Sequence, residues 1–192
     1  MRIIKKILSN IHRYVLWALV SVFLWGWIFT LTSDTVRAKK VEVYSHTVSV
    51  DTAELSALLS EELPDGIRMV RAHNFDYTLF DNSILSAADI LILSESEIAD
   101  YTASLCPIPS GENGFDFTGA YEKDGSVYGL LIYDAAADRG AANACIDYVS
   151  PDSADKQDFY LCFMNSSVHI GTLNDSPDDA ALTVAKKLLS MH

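Results

Sequence analysis

The side chains able to do chemistry are few and scattered. Beyond residue 40 stand His46, His73, His169 and His192, together with three cysteines, Cys106, Cys145 and Cys162. Imidazole and thiolate are the usual zinc ligands, yet no His-x-x-x-His or Cys-x-x-Cys pair occurs, so spacing gives no metal signal. Histidines placed singly read as surface or capping groups. The acidic runs Glu122–Gly125 and Asp175–Asp179 lack the spacing of an EF-hand loop and read as a hairpin turn and a helix start. Ser94, Ser96, Ser166 and Ser167 offer hydroxyls, but no Gly-x-Ser-x-Gly elbow surrounds them, and Ser94 is placed to cap a helix. Asp51-Thr52-Ala53 follows the first expected strand where a phosphate loop would need glycines. Cys162 alternates with Phe159, Leu161 and Phe163 on one side and Tyr160 and Met164 on its own, an apolar setting that suits a buried thiol and not a nucleophile. Three cysteines permit at most one internal disulfide, and the pairing stays open. The expectation is therefore a chain that is not an enzyme and holds no metal or other cofactor.

The elements that must position these groups follow from periodicity. Val41 to Val50 alternates and is β-branched, which predicts a strand. Asp51 caps a helix with Leu55, Leu58, Leu59 and Leu63 on one face, stopped by Pro64-Asp65-Gly66. Ile67 to Ala72 is a second strand. Asp89 to Ser94 is a short apolar run, the mark of a strand covered on both faces. Ser94 and Glu97 form a capping box for a helix that turns Ile98, Tyr101 and Leu105 inward. Ser126–Tyr133 and Asp158–Met164 are further strands, with an irregular alanine-rich helix expected between Ala135 and Val149. The last helix takes Ser176 as cap and Pro177 as its first residue, with Leu182, Ala185, Leu188 and Leu189 inward. Alternating strands and helices predict an α/β domain with a mostly parallel sheet and helices on both faces. The aromatic stretch Phe75, Tyr77 and Phe80 reads as core, or else as a partner-facing patch.

Ahead of this domain, Tyr14 to Leu31 carries no charge and contains all three tryptophans, Trp17, Trp25 and Trp27. Tryptophan near both ends suits the two membrane interfaces. The expected organisation is a basic cytoplasmic tail (1–13), a transmembrane helix (14–32), a tether (33–40) and an extracytoplasmic domain (41–192). A cleaved signal peptide ending at Val36-Arg37-Ala38 is the competing reading, although the apolar stretch exceeds an ordinary signal core and Lys39-Lys40 would follow the cut. Lysine and arginine are slightly more numerous before the span, which points to a cytoplasmic N-terminus and a single pass through the cell membrane. The net charge is -12, and residues 1–40 hold seven basic side chains against Asp34 alone, so the domain is strongly acidic. Such a surface repels phosphate backbones, which excludes nucleic acid as a partner.

Asp89-Ile-Leu-Ile-Leu-Ser-Glu-Ser-Glu97, followed by Leu105-Cys-Pro-Ile108, resembles the first lobe of the extracellular solute-binding proteins of ABC importers. Asp124-Gly-Ser-Val-Tyr-Gly-Leu130 is similar to a hairpin of that family, with Leu131 where the family has proline. The resemblance implies a periplasmic-binding-protein-like lobe with ligand contacts at the carboxyl ends of strands. Carried over by position, the ligand-binding candidates are Ser45, His46, Ser94, Glu95 and Tyr128. The implied function is a membrane-anchored extracytoplasmic binding or sensing module for a small molecule. The alternatives are an interaction subunit docking on a membrane or cell-envelope partner and, after it, an extracytoplasmic hydrolase.

Overall fold

A computed structural model describes residues 11–33, 35–74, 86–109, 114–153 and 155–191. The expected aromatic patch at Phe75, Tyr77 and Phe80 lies outside the described residues. Two compact units divide the chain, Met1–Val36 and Arg37–His192.

The first unit contains helix α1 (Ile11–Ser33). Twenty-three residues at ~1.5 Å each make it roughly 34 Å long, enough to cross the ~30 Å hydrocarbon layer. Its stretch Ile11–Phe29 is the one candidate span among the described residues. Trp17, Trp25 and Trp27 are all exposed on it. The coarse reading, an N-terminal helix able to span a bilayer or to serve as a signal sequence, follows from its length and apolar composition.

In the second unit a 3-10 turn at Arg37–Lys39 leads into β1 (Lys40–Ser45), so the end of the expected tether is part of the fold. The remaining strands are β2 (Ser49–Val50), β3 (Met69–Asn74), β4 (Ile90–Ser94), β5 (Tyr121–Lys123), β6 (Ser126–Asp134), β7 (Arg139–Gly140), β8 (Ile146–Asp147) and β9 (Phe159–Phe163). The helices are α2 (Thr52–Leu59), α3 (Glu95–Tyr101) and α4 (Ala180–Leu189). The main sheet has the order β3-β1-β4-β9-β6-β5, with β7 beside β6. Only β3, β1 and β4 run parallel; β9 is antiparallel to β4 and to β6, which pairs antiparallel with β5 and β7. The sheet is mixed, and the expectation of a mostly parallel one holds for its β3-β1-β4 half. Periodicity identifies a strand but carries no direction, which is why the antiparallel half escaped it.

Both faces of the sheet are covered, as the alternation in β4 and β9 requires. Ile90 and Ile92 with Phe159, Leu161 and Phe163 pack against Leu55 and Leu59 of α2 and Ala181, Ala185 and Leu188 of α4. Leu91, Leu93, Tyr160, Cys162 and Met164 face the other way, onto Ile98 of α3 and Leu105. Burying each large side chain of this kind contributes about 1.5–3 kcal/mol. All three cysteines are buried and free of disulfides.

Three local expectations are corrected. The strand expected over 41–50 breaks after Ser45: the His46 N–H still reaches the Ile92 carbonyl, but Ser49–Val50 pairs with β8 in a second, two-stranded sheet. Ala135 to Val149 holds no helix; it turns, forms β7, and turns again. Asp138 and Ala142 there adopt left-handed backbone angles (φ 51° each), which no helix continues through. The last helix starts at Ala180 and not at Pro177, because Asp178 and not Ser176 accepts the Ala180 N–H (3.1 Å), while the Ser176 hydroxyl donates to the Ser167 carbonyl at 3.0 Å.

Candidate functional site at the carboxyl edge of β1 and β4

Two polar clusters are built at opposite ends of the parallel strands. The one at the amino end centres on Asp89, wholly buried just before β4. Its carboxylate accepts the Glu42 N–H (2.9 Å) and the Ser167 hydroxyl (2.6 Å). Burial raises the Asp89 pKa against the opposing pull of these bonds. The Ser167 oxygen in turn accepts the His169 N–H (3.1 Å). The His169 ring lies between the Asp178 carboxylate on Nδ1 (2.8 Å) and the Arg37 carbonyl on Nε2 (3.0 Å). Its partners are all the protein's own, and the cluster ties the start of β1, the start of β4 and the start of α4 together. Its role is structural.

The carboxyl-end cluster has a different composition. His46 directly follows β1, is 2% exposed, and its Nδ1 lies 2.6 Å from Oε1 of Glu97. Glu97 sits in the first turn of α3, where the reciprocal capping box with Ser94 fixes it: the Ser94 N–H donates to Oε2 at 3.0 Å. From the segment after β8, the Ser150 hydroxyl donates to Glu97 Oε1 at 3.4 Å and accepts the Asp152 N–H at 3.2 Å. Burial pushes the Glu97 pKa up, but the His46 and Ser94 hydrogen bonds outweigh it and the carboxyl is held below its ordinary value. Glu97 is thus a largely enclosed carboxylate. The donor atoms of His46, Glu97 and Asp152 all lie within 4.8 Å of one another.

Of the expected ligand-binding residues, the structure brings His46 and Ser94 to this point. Ser45 is buried next to it, its hydroxyl 3.2 Å from that of Thr47 in the segment that leaves the sheet. Glu95 stands exposed at the start of α3, its N–H on the Asp158 carbonyl (2.9 Å). Tyr128, on β6, packs half-buried against the second core. Three members went unrecognised in the sequence. Glu97 was visible only as a cap, and Ser150 and Asp152 reach the site through a loop whose path no local pattern reveals. Among the described residues the other isolated histidines do not converge: His73 pairs with Glu42 (2.5 Å) and stacks on Tyr44, and His169 belongs to the amino-end cluster, while His192 lies outside the described residues.

Two surface depressions lie elsewhere. One, about 620 Å³, is bordered by Tyr133, Asp138, Cys145, Tyr148 and Lys156; the other, about 720 Å³, by Phe115, Leu131, Arg139 and Lys186. In the first, the Tyr133 hydroxyl donates to Asp138 (2.6 Å), which raises the tyrosine pKa to about 12. Burial raises the Cys145 pKa, so its thiol stays protonated at neutral pH and is a poor nucleophile.

No family model matches the chain, and no curated protein matches it. Among solved structures, thiaminase I from Bacillus thiaminolyticus is matched with a TM-score of 0.34 and 21% identity, over 49% of this chain and 28% of that one. The expectation that the chain is not an enzyme is corrected here. The finding that stands against it is the match to a structure that carries an enzyme's name; His46 and Glu97 also form an enclosed histidine–carboxylate pair that the scattered histidines of the sequence did not announce.

Proposed function

We propose that this chain is a membrane-anchored extracytoplasmic binding or sensing protein, with α1 retained as a single-pass anchor, the N-terminus in the cytoplasm and the ligand site at the carboxyl edge of β1 and β4. The observation that carries the reading is the enclosed His46–Glu97 pair at that edge, braced by Ser94 and Ser150. In open α/β sheets the carboxyl ends of the strands are where ligands bind, because chain connections diverge there and leave side chains converging on one spot. The solute-binding-protein resemblance of residues 89–108 points to the same strand end. The acidic character of the domain favours a ligand that is cationic or rich in hydrogen-bond donors.

Calorimetric melting of the full chain in detergent tests this, in metal-free buffer, against sugars, amino acids and short peptides. A ligand at ~100-fold excess over its dissociation constant stabilises the fold by about 2.7 kcal/mol, several degrees in Tm. The same ligand should lose this effect in His46→Asn. No shift with any compound, together with a membrane protein that co-purifies in stoichiometric amount, would replace the reading with that of an interaction subunit.

A further inference from the structure

We infer that His46, Glu97 and Asp152 form a binding site for a divalent transition-metal ion. The inference rests on the ligand site proposed above and names the chemical class of what it holds. The three donors come from three separate elements: the residue after β1, the first turn of α3, and the segment after β8. Their donor atoms lie within 4.8 Å of one another. Ligands around a zinc-sized ion at 2.0–2.2 Å stand roughly 3–3.5 Å apart, so the metal takes the place of the proton in the 2.6 Å His46–Glu97 hydrogen bond, and side-chain adjustments open that pair slightly and bring Asp152 in. Asp152 is exposed on a turn and free to make the largest of them.

The choice of metal follows from the donors. One imidazole nitrogen with two carboxylates suits zinc, manganese, iron, cobalt or nickel, whereas calcium and magnesium prefer all-oxygen shells. The surroundings are those of a braced site. The second Glu97 oxygen is held by the Ser94 N–H, and Ser150 bridges Glu97 Oε1 to the backbone N–H of Asp152, so one hydroxyl ties the Glu97 carboxylate to the turn that carries Asp152. Such outer partners fix ligand orientation and commonly change metal affinity 10- to 100-fold. Three protein donors leave the remaining coordination positions to water or to an oxygen of a small ligand. An acidic domain also raises the local cation concentration at its surface.

The test uses the full chain in detergent, stripped with a chelator and titrated with Zn²⁺ by calorimetry, with Co²⁺ as a spectroscopic probe. One equivalent should bind with a rise in Tm, and the Co²⁺ complex should show the visible absorption of a low-coordinate site. Asp152→Asn, at an exposed position that leaves the fold intact, should weaken binding at least tenfold and abolish the Co²⁺ spectrum. Glu97→Gln should do the same, whereas Asp155→Asn, a neighbouring exposed acid, should change nothing. No binding at millimolar Zn²⁺, or equal affinity in Asp152→Asn and the unaltered chain, overturns the inference. A sugar, amino acid or peptide that stabilises the metal-free protein while Zn²⁺ does not bind would remove this inference and leave the proposed function standing. Zn²⁺ binding lost in Asp152→Asn, with no organic ligand found, would make the ion itself the ligand.

Discussion

His169 shows how a histidine that looks unremarkable in the sequence becomes a charged structural element. Both of its ring nitrogens face groups that only accept, the Asp178 carboxylate and the Arg37 carbonyl, so both must donate and the ring is an imidazolium. Burial favours the neutral ring, but the Arg37 carbonyl, the Asp178 bond and the nearby Asp89 charge together outweigh it and raise the pKa above 6.5. The native state therefore binds this proton more tightly than the unfolded chain does. The resulting stabilisation is complete below about pH 6.5 and fades as pH rises through the native value. In urea denaturation, the stability difference between the natural protein and His169→Gln should be larger at pH 6 than at pH 8.5. Leaving Asp178 or the Arg37 carbonyl without its donor should cost about 1–3 kcal/mol at the lower pH. A difference that is flat across this range would refute the imidazolium assignment.

At the scale of elements, how much the sequence revealed depended on whether the signal was local. The capping box at Ser94 and Glu97, the hairpin turn at Asp124-Gly125 and the alternation of β4 and β9 are contained in short windows, and each is realised in the structure. The Asp124-Gly125 turn has positive φ at both residues (52° and 77°), the conformation that lets two strands reverse in two residues. The segment from Ala135 to Val149 misled because alanine is a good helix former while the reason for its small residues is tertiary. A Cβ on Gly140 would stand 2.8 Å from Tyr133 Cδ2 and 2.9 Å from the Ile132 carbonyl oxygen. The chain must pass that close to pair β7 with β6, and the small residue is there for contact, not for helicity. Gly140→Ala should thus destabilise the domain by about 1–3 kcal/mol through overpacking, even though alanine is the better helix former. Chemical denaturation reads this directly; a stabilised variant would mean that propensity governs the segment after all. The candidate site was half legible for the same reason. His46 and Ser94 lie at strand ends that periodicity locates, whereas Ser150 and Asp152 arrive through a loop that local pattern cannot place.

For the molecule as a whole, the distribution of tryptophan separates an anchored chain from a processed one. Trp17, Trp25 and Trp27 all belong to α1, where their side chains are about 70% exposed, and residues 33–192 contain none. An exposed indole in water is costly, whereas at the membrane interface its ring is buried and its N–H stays hydrogen-bonded. If α1 is kept as an anchor, the protein recovered from cells should resist alkaline extraction from membranes. Its tryptophan emission should then be blue-shifted and quenched by lipids carrying a quencher in their acyl chains. Protease added outside intact cells should remove the acidic domain while leaving a tryptophan-containing fragment in the membrane, which fixes the orientation as well. A soluble mature protein without tryptophan emission would show that α1 is cut away as a signal sequence. In that case residues 37–192, the unit that holds the whole sheet and both polar clusters, would act alone. The ligand measurements on His46, Glu97 and Asp152 would keep their meaning in either outcome, since each of those residues lies within that unit.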